Sequence, residues 1–178
     1  MKKIFKKKYA RIGILGGTFD PPHIGHLHIS KIALKKLKLD SLIWIVTKQN
    51  PLKKKPFLNV KARVLLSENL TKNQKKIFVE YLDNKVKSQE TYNILSFLKN
   101  YNKHAKLFFL MGGDNLVNFH KWKKWKEILN LCKILVFDRQ GYKSKSLKSK
   151  AARYMNKNNW EFVKSNKINI SSSKIKKI

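Results

Sequence analysis

The chain of 178 residues carries 41 Lys and Arg against 10 Asp and Glu, a formal net charge of +31, with 42% hydrophobic and 11% aromatic residues. That length and apolar content favour one domain around a single sizeable core and exclude an intrinsically disordered chain. No apolar run approaches the roughly 18 residues of a membrane span, and a single cysteine, Cys132, excludes an internal disulfide framework and any cysteine-based zinc cluster.

In chain order, residues 1–9 form a basic N-terminal extension without the apolar region and small-residue cleavage site of a signal peptide, so a cytoplasmic location is expected. The first apolar run, RIGIL (11–15), ends at GGTFDPPHIGH (16–26). A helix follows, with Ile29, Ile32, Ala33 and Leu37 on one stripe. LIWIV (42–46) is the second strand, and Val60 to Leu70 the second helix. IFVEYL (77–82), a helix from Thr91 to Leu98, and LFFLM (107–111) come next, the last ending at GGDN. A helix from Trp122 to Leu131 precedes ILVF (134–137). KSKSLKSK (143–150) reads as a loop or mobile helix start, and WEFV (160–163) as a sixth strand. Nearly continuous apolar strands alternating with helices predict a doubly wound, Rossmann-like α/β fold with a parallel sheet in a single domain over 1–178. Such sheets bind ligands beyond the carboxyl ends of their strands, which places the two Gly-Gly loops on the functional edge.

The charge points to anionic partners, yet only 4 of the 41 basic residues are arginine, and the lysines are scattered from Lys2 to Lys177. Base-edge and phosphate readers lean on arginine forks. With 16 asparagines and abundant isoleucine, the pattern reads as a codon-composition bias on a solvated surface, and neither nucleic acid nor membrane is expected as a partner.

The first loop carries the densest chemistry. Gly16 and Gly17 allow a sharp turn and close ligand approach, while Pro21 and Pro22 stiffen the entry to the helix. His23 and His26, three apart at the helix start, share one face, and free N–H groups there favour an anion. Two imidazoles on a helix N-terminus make a phosphate-stabilising site. The alternatives are a plain turn with core histidines, or a zinc site, for which only Asp20 is a nearby further ligand. In the second loop, Gly112 and Gly113 again permit close approach. Asp114 either accepts from ribose hydroxyls or serves as the N-cap of the next helix. Trp122 and Trp125 read first as an apolar helix face.

GGTFDPPHIGH resembles the T/HxGH signature of the nucleotidyltransferase superfamily, and its FDPPH form is similar to the bacterial nicotinate-mononucleotide adenylyltransferase family. NPLK (50–53), ETYNIL (90–95), LMGGDNLVNFHKWKKW (110–125) and ISSSKIKK (170–177) resemble further motifs of that family in the same order. The resemblance implies transfer of AMP from ATP to nicotinate mononucleotide with Mg²⁺. It implies His23 and His26 as catalytic donors to the triphosphate. Gly16, Gly17, Thr18, Phe19, Gly112, Asp114, Ser171, Ser172, Ser173 and Lys176 would serve as further ATP-binding residues, the first four through their backbone. For the acceptor it implies Thr91 near the nicotinate carboxylate, Trp122 stacked on the pyridine ring, Arg139 and, more weakly, Lys53, with no protein-held metal. A solvated loop arginine and a serine-rich tail are the plainer readings of Arg139 and of 171–173. Asn93 stands where the family has an acid, Gln140 where it has proline, and Lys176 where it has arginine; the family's chains usually continue into a further helix. Another HxGH transferase, with phosphopantetheine or nicotinamide mononucleotide as acceptor, is the nearest rival. A basic nucleic-acid-binding protein on the same fold is a more distant one.

Overall fold

A computed structural model describes residues 1, 3–49 and 55–164 of the chain. All six apolar runs are strands: β1 Arg11–Gly17, β2 Ser41–Val46, β3 Ile77–Glu80, β4 Lys106–Gly112, β5 Cys132–Phe137 and β6 Trp160–Val163. They pair in parallel throughout, in the order β3-β2-β1-β4-β5-β6. β3 stops at Glu80, short of the apolar run that suggested it. Leu82 instead precedes a short helix, α3 Asp83–Val86, and is buried in the core.

The strands read as continuous apolar stretches because helices cover both faces. α1 Ile24–Lys36 and α2 Val60–Thr71 lie on one face, where Leu15, Trp44, Val46, Leu110 and Leu135 form a core cluster with Ala33. α4 Thr91–Tyr101, α5 Gly113–Asn118, α6 Trp125–Leu131 and α8 Lys150–Tyr154 cover the other. There Ile12, Ile14, Phe109, Met111, Ile134 and Val136 pack with Leu95, Leu116, Ile128 and Ala151. Alternate residues of β1, β4 and β5 divide between the two clusters, as the period of two in a pleated strand requires. Among the described residues no helix is long and apolar enough to cross a membrane.

Two stretches differ from the sequence reading. The expected helix from Trp122 begins only at Trp125. A single 3-10 turn, Phe119–Lys121, precedes it; Trp122 is extended (φ −75°, ψ 142°), and Lys124 is left-handed (φ 51°, ψ 37°). The two tryptophans therefore do not share a helix face. Trp122 swings its ring edge-on to Phe109 (6.0 Å) and Phe119 (5.3 Å), and Trp125 meets Phe119 (5.8 Å) and Tyr154 (5.0 Å). Aromatic packing outweighs the local periodicity. The KSKSLKSK stretch, expected as a loop or mobile helix start, forms α7 Lys143–Leu147 and opens α8. Buried Ser146 donates to the Lys143 carbonyl (2.8 Å), and Ser149 caps α8 by accepting from the Ala152 N–H (3.2 Å). The basic 1–9 segment is anchored as well, with Ile4 buried, Phe5 against the Tyr101 ring, and Lys7 paired to Asp40 at 2.7 Å.

Trp44 is fully buried, and its indole N–H donates to Ser30 Oγ at 2.8 Å. Replacing Trp44 by Ala is expected to lower unfolding free energy by about 3–5 kcal/mol, read from the shift of the urea midpoint.

Candidate functional site

β1 and β4 are neighbours in the sheet, while the chain leaves β1 toward β2 and leaves β4 toward β5. Their outgoing loops thus separate to opposite faces and open a crevice at the strands' carboxyl ends. Both Gly-Gly motifs stand at this crevice, as the last residues of β1 and at the junction of β4 with α5.

The first loop turns at Phe19, a non-glycine residue at φ +49°. Burial compensates this disfavoured backbone: the Phe19 side chain is 2% exposed and stacks on Trp44 (5.0 Å, 10° between planes). Phe19 can therefore offer only its backbone to a ligand, and its ring is the floor beneath His26, 4.9 Å away. Trp44 is in turn fixed through Ser30, whose hydroxyl donates to the His26 carbonyl (2.8 Å). His23 is the extended N-cap of α1 rather than a helical residue, and His26 occupies the first turn. The backbone N–H of His23 donates to His26 Nδ1 (3.2 Å), so the neutral His26 ring carries its proton on Nε2. The two ring centroids are 3.8 Å apart. His23 is half-buried and its Nδ1 has no partner among the described residues. Burial, then the positive field of Arg139, lowers its pKa to about 4. His23 is hence uncharged at neutral pH, able to donate a hydrogen bond to an anion without acting as a fixed cation.

At the second loop Gly112 is the N-cap of α5, so Asp114 is not the N-cap that the sequence also allowed. Its Oδ2 pairs with Arg139 Nη1 at 2.7 Å, and its buried Oδ1 has no hydrogen-bond partner among the described residues. A Cβ on residue 112 would lie 2.5 Å from that Oδ1, which explains glycine there. The ion pair ties the loop after β5 to the loop after β4 and brings Arg139 within reach of His23 electrostatically.

Thr91 opens α4 behind Glu90, and Lys123 joins Glu90 at 2.8 Å while Lys124 sits over the Tyr92 ring (4.6 Å). These contacts bring the Trp122 segment alongside the start of α4. Trp122 itself is half-buried, partly available at its rim. Asn93, where the family has an acid, braces the turn by donating to Ser88 Oγ (2.9 Å) and Glu90 Oε2 (3.1 Å). Lys53, Ser171, Ser172, Ser173 and Lys176 lie outside the described residues.

The sequence reading missed Arg63 and the second role of Asp20. Arg63, in α2, is 1% exposed and donates to the carbonyls of Thr18 (2.5 Å), Thr47 (2.7 Å), Lys48 (3.0 Å) and Leu58 (3.0 Å). Burial lowers its pKa, against the nearby carboxylate of Asp20. Asp20 accepts from the N–H groups of Phe57 (2.8 Å) and Leu58 (2.9 Å). The available signal was arginine scarcity: in a chain that uses lysine for nearly every cation, an arginine marks a place that needs a fork. Arg11 and Arg139 obey the same rule, one donating to the Leu37 carbonyl and one pairing with Asp114.

A concavity of about 450 Å³ lies at the opposite, amino-terminal edge of the sheet, lined in part by Arg11, Lys99, Lys106 and Lys133. It contains none of the crevice residues. Among the described residues no group of three or more His, Cys, Asp or Glu side chains is placed to hold a metal ion.

The chain matches the cytidylyltransferase-like family over residues 14–178. It is 48% identical over 172 residues to a Pelagibacter ubique (strain HTCC1062) protein named probable nicotinate-nucleotide adenylyltransferase, covering 97% of this chain and 95% of the relative. A Rhizobium johnstonii protein of the same name is 39% identical over 142 residues, 80% of this chain and 71% of the relative. The fold is similar to that of Plasmodium falciparum nicotinic acid mononucleotide adenylyltransferase complexed with NaAD. There the TM-score is 0.73 at 19% identity, covering 95% of this chain and 83% of the other.

The unfolded chain's His23 protonates near pH 6.5, but the folded one only near 4. Between those values the unfolded state holds more protons, so His23 withdraws stability as pH falls from about 6.5 to about 4. NMR titration of the imidazole Cε1–H signals in the ligand-free protein is expected to show His23 still neutral at pH 5. A His23 midpoint near 6.5 would contradict the burial.

Proposed function

The chain belongs to the nicotinate-nucleotide adenylyltransferases of the cytidylyltransferase-like family, and from that premise we propose that it transfers AMP from ATP to nicotinate mononucleotide. The products are nicotinic acid adenine dinucleotide and pyrophosphate, in a step of NAD synthesis. The observation that carries the reading onto this chain is the imidazole pair, 3.8 Å apart at the start of α1, on the crevice between β1 and β4.

In this reaction a phosphate oxygen of nicotinate mononucleotide forms a bond to the α-phosphorus of ATP, and the bond from that phosphorus to the bridging oxygen breaks. Pyrophosphate leaves with the electron pair. The nucleophile is already anionic, so no general base is needed, and the protein contributes positioning and electrostatic stabilisation. His26, its Nδ1 held by the His23 N–H, directs an Nε2–H donor at the triphosphate. His23 adds an uncharged donor, and Arg139, paired with Asp114, serves the acceptor. The backbone of Gly16, Gly17, Thr18 and Phe19 lines the ATP side, and Gly112 lets the ligand approach β4. Asp114 Oδ1 is an acceptor suited to a ribose hydroxyl. The triphosphate tail is further held by Ser171, Ser172, Ser173 and Lys176.

On the acceptor side, the first-turn N–H groups of α4 at Thr91 suit the nicotinate carboxylate. Trp122 offers its ring to the electron-poor pyridine, and Lys53 adds a phosphate contact. Mg²⁺ arriving with ATP would supply neutralisation of the phosphate charge. The donor set fits a cation that arrives with its nucleotide rather than one caged by protein, since Mg²⁺ commonly takes one carboxylate plus substrate phosphates and waters.

Purified protein offered Mg-ATP and nicotinate mononucleotide is expected to release pyrophosphate and form the dinucleotide. Release with phosphopantetheine and none with nicotinate mononucleotide would overturn the acceptor assignment. His26→Ala is expected to lower kcat by about 10²–10³-fold with an unchanged circular dichroism spectrum; undiminished turnover would contradict the role of His26.

A further inference from the structure

Arg63 is the one arginine of the chain that is buried, and four of its five N–H groups are satisfied by main-chain carbonyls. Those carbonyls come from three segments: Thr18 in the first glycine loop, Thr47 and Lys48 at the exit of β2, and Leu58 at the entry to α2. Asp20 returns the connection from the first loop, accepting from Phe57 and Leu58. Asp83 Oδ2 holds the same β2 exit through the Lys48 N–H at 2.9 Å. A buried cation and a buried anion thus cross-brace the phosphate-side loop to both described stems of the β2–α2 connection.

Packing alone does not require this arrangement. Desolvating a guanidinium is costly, and well-packed apolar residues are often as stabilising as a buried ion pair or more so. A helix needing only to cover the sheet would carry a leucine at this position. What a leucine cannot do is fix three backbone segments in one relative geometry. We propose that Arg63 is a positioning residue for adenylyl transfer, holding the Thr18 carbonyl against Thr47, Lys48 and Leu58 so that the first glycine loop keeps one spacing from the β2 exit and the α2 entry. The role rests on the adenylyl-transfer reading above. Arg63 acts through the loops it binds and does not itself touch substrate.

The test compares Arg63→Lys with Thr71→Val. Lysine keeps the charge opposite Asp20, but its three donors sit on one nitrogen and cannot span the four carbonyls. Thr71 is buried on the same helix and donates only within it, to the Ser67 and Glu68 carbonyls. Its loss therefore reports general destabilisation of α2. At a temperature where circular dichroism shows both variants folded, R63K is expected to lower kcat by about 10- to 100-fold and to raise the KM for both substrates. T71V should keep both constants while its Tm falls. A folded R63K with unaltered kcat and KM would overturn the proposal, as would parallel kinetic losses in T71V. If R63K does not fold, Asp20→Asn carries the test, with the same direction of change expected and unaltered kinetics again fatal. If the unaltered chain releases no pyrophosphate from ATP and nicotinate mononucleotide, the functional reading fails. Arg63 is then judged by calorimetric ATP affinity, expected to weaken about tenfold in R63K, with equal affinity refuting the role.

Discussion

The reversal of strand order at β1 is the constraint from which the rest follows. The chain runs outward from β1 through β2 to β3, then returns to lay β4 on the other side of β1. Parallel pairing obliges every connection to cross a face, so the helices after β1 and β4 depart to opposite faces. The gap between their starting points is a crevice floored by strand ends. Gly16, Gly17 and Gly112 keep side chains out of it, and His23, His26, Asp114 and Arg139 stand at its rim. The crevice exists because of topology; its chemistry is added by four side chains from the chain segments that follow three strands, β1, β4 and β5.

The electrostatics of that rim differ in kind from those of the surface. A net charge of +31 is distributed over the chain mostly as lysine. The crevice instead presents two half-buried imidazoles, one held neutral by desolvation, and a single arginine already engaged by a carboxylate. An uncharged donor in a partly dry site stabilises developing negative charge without binding the ground-state polyanion too tightly. The lysine field can raise the encounter rate of an anionic nucleotide, while discrimination is left to short-range geometry. Three of the four arginines are committed to defined acceptors: at Arg11, Arg63 and Arg139 the fork or its Nε is engaged.

Much of this was legible in the sequence, for physical reasons that differ by element. The six strands announced themselves because burial on both faces demands uninterrupted apolar runs, and the first loop because its glycine, proline and histidine types each have few other uses. Trp122 was misread as helical, since spacing alone cannot distinguish a helix stripe from a ring drawn toward Phe109 and Phe119 by packing. An N-cap at Asp114, one of the two roles open to it, would start α5 two residues too late; Gly112 holds that position. Arg63 was silent, because a charged residue inside an amphipathic pattern reads as solvent-facing by default. Only the tertiary approach of the 18, 47–48 and 58 carbonyls reveals its purpose. Short α7 was hidden in the same way by its lysines, with Ser146 as its one buried residue.

The central claim is that the triphosphate of ATP sits in the β1/β4 crevice against the two imidazoles. A crystal structure of the protein with a non-hydrolysable ATP analogue and nicotinate mononucleotide tests it most directly. Phosphate oxygens are predicted within about 3 Å of a ring nitrogen of both His23 and His26, with the pyridine ring on the Trp122 side. A nucleotide bound instead in the basic concavity at the amino-terminal edge of the sheet, with both imidazoles untouched, would contradict the account.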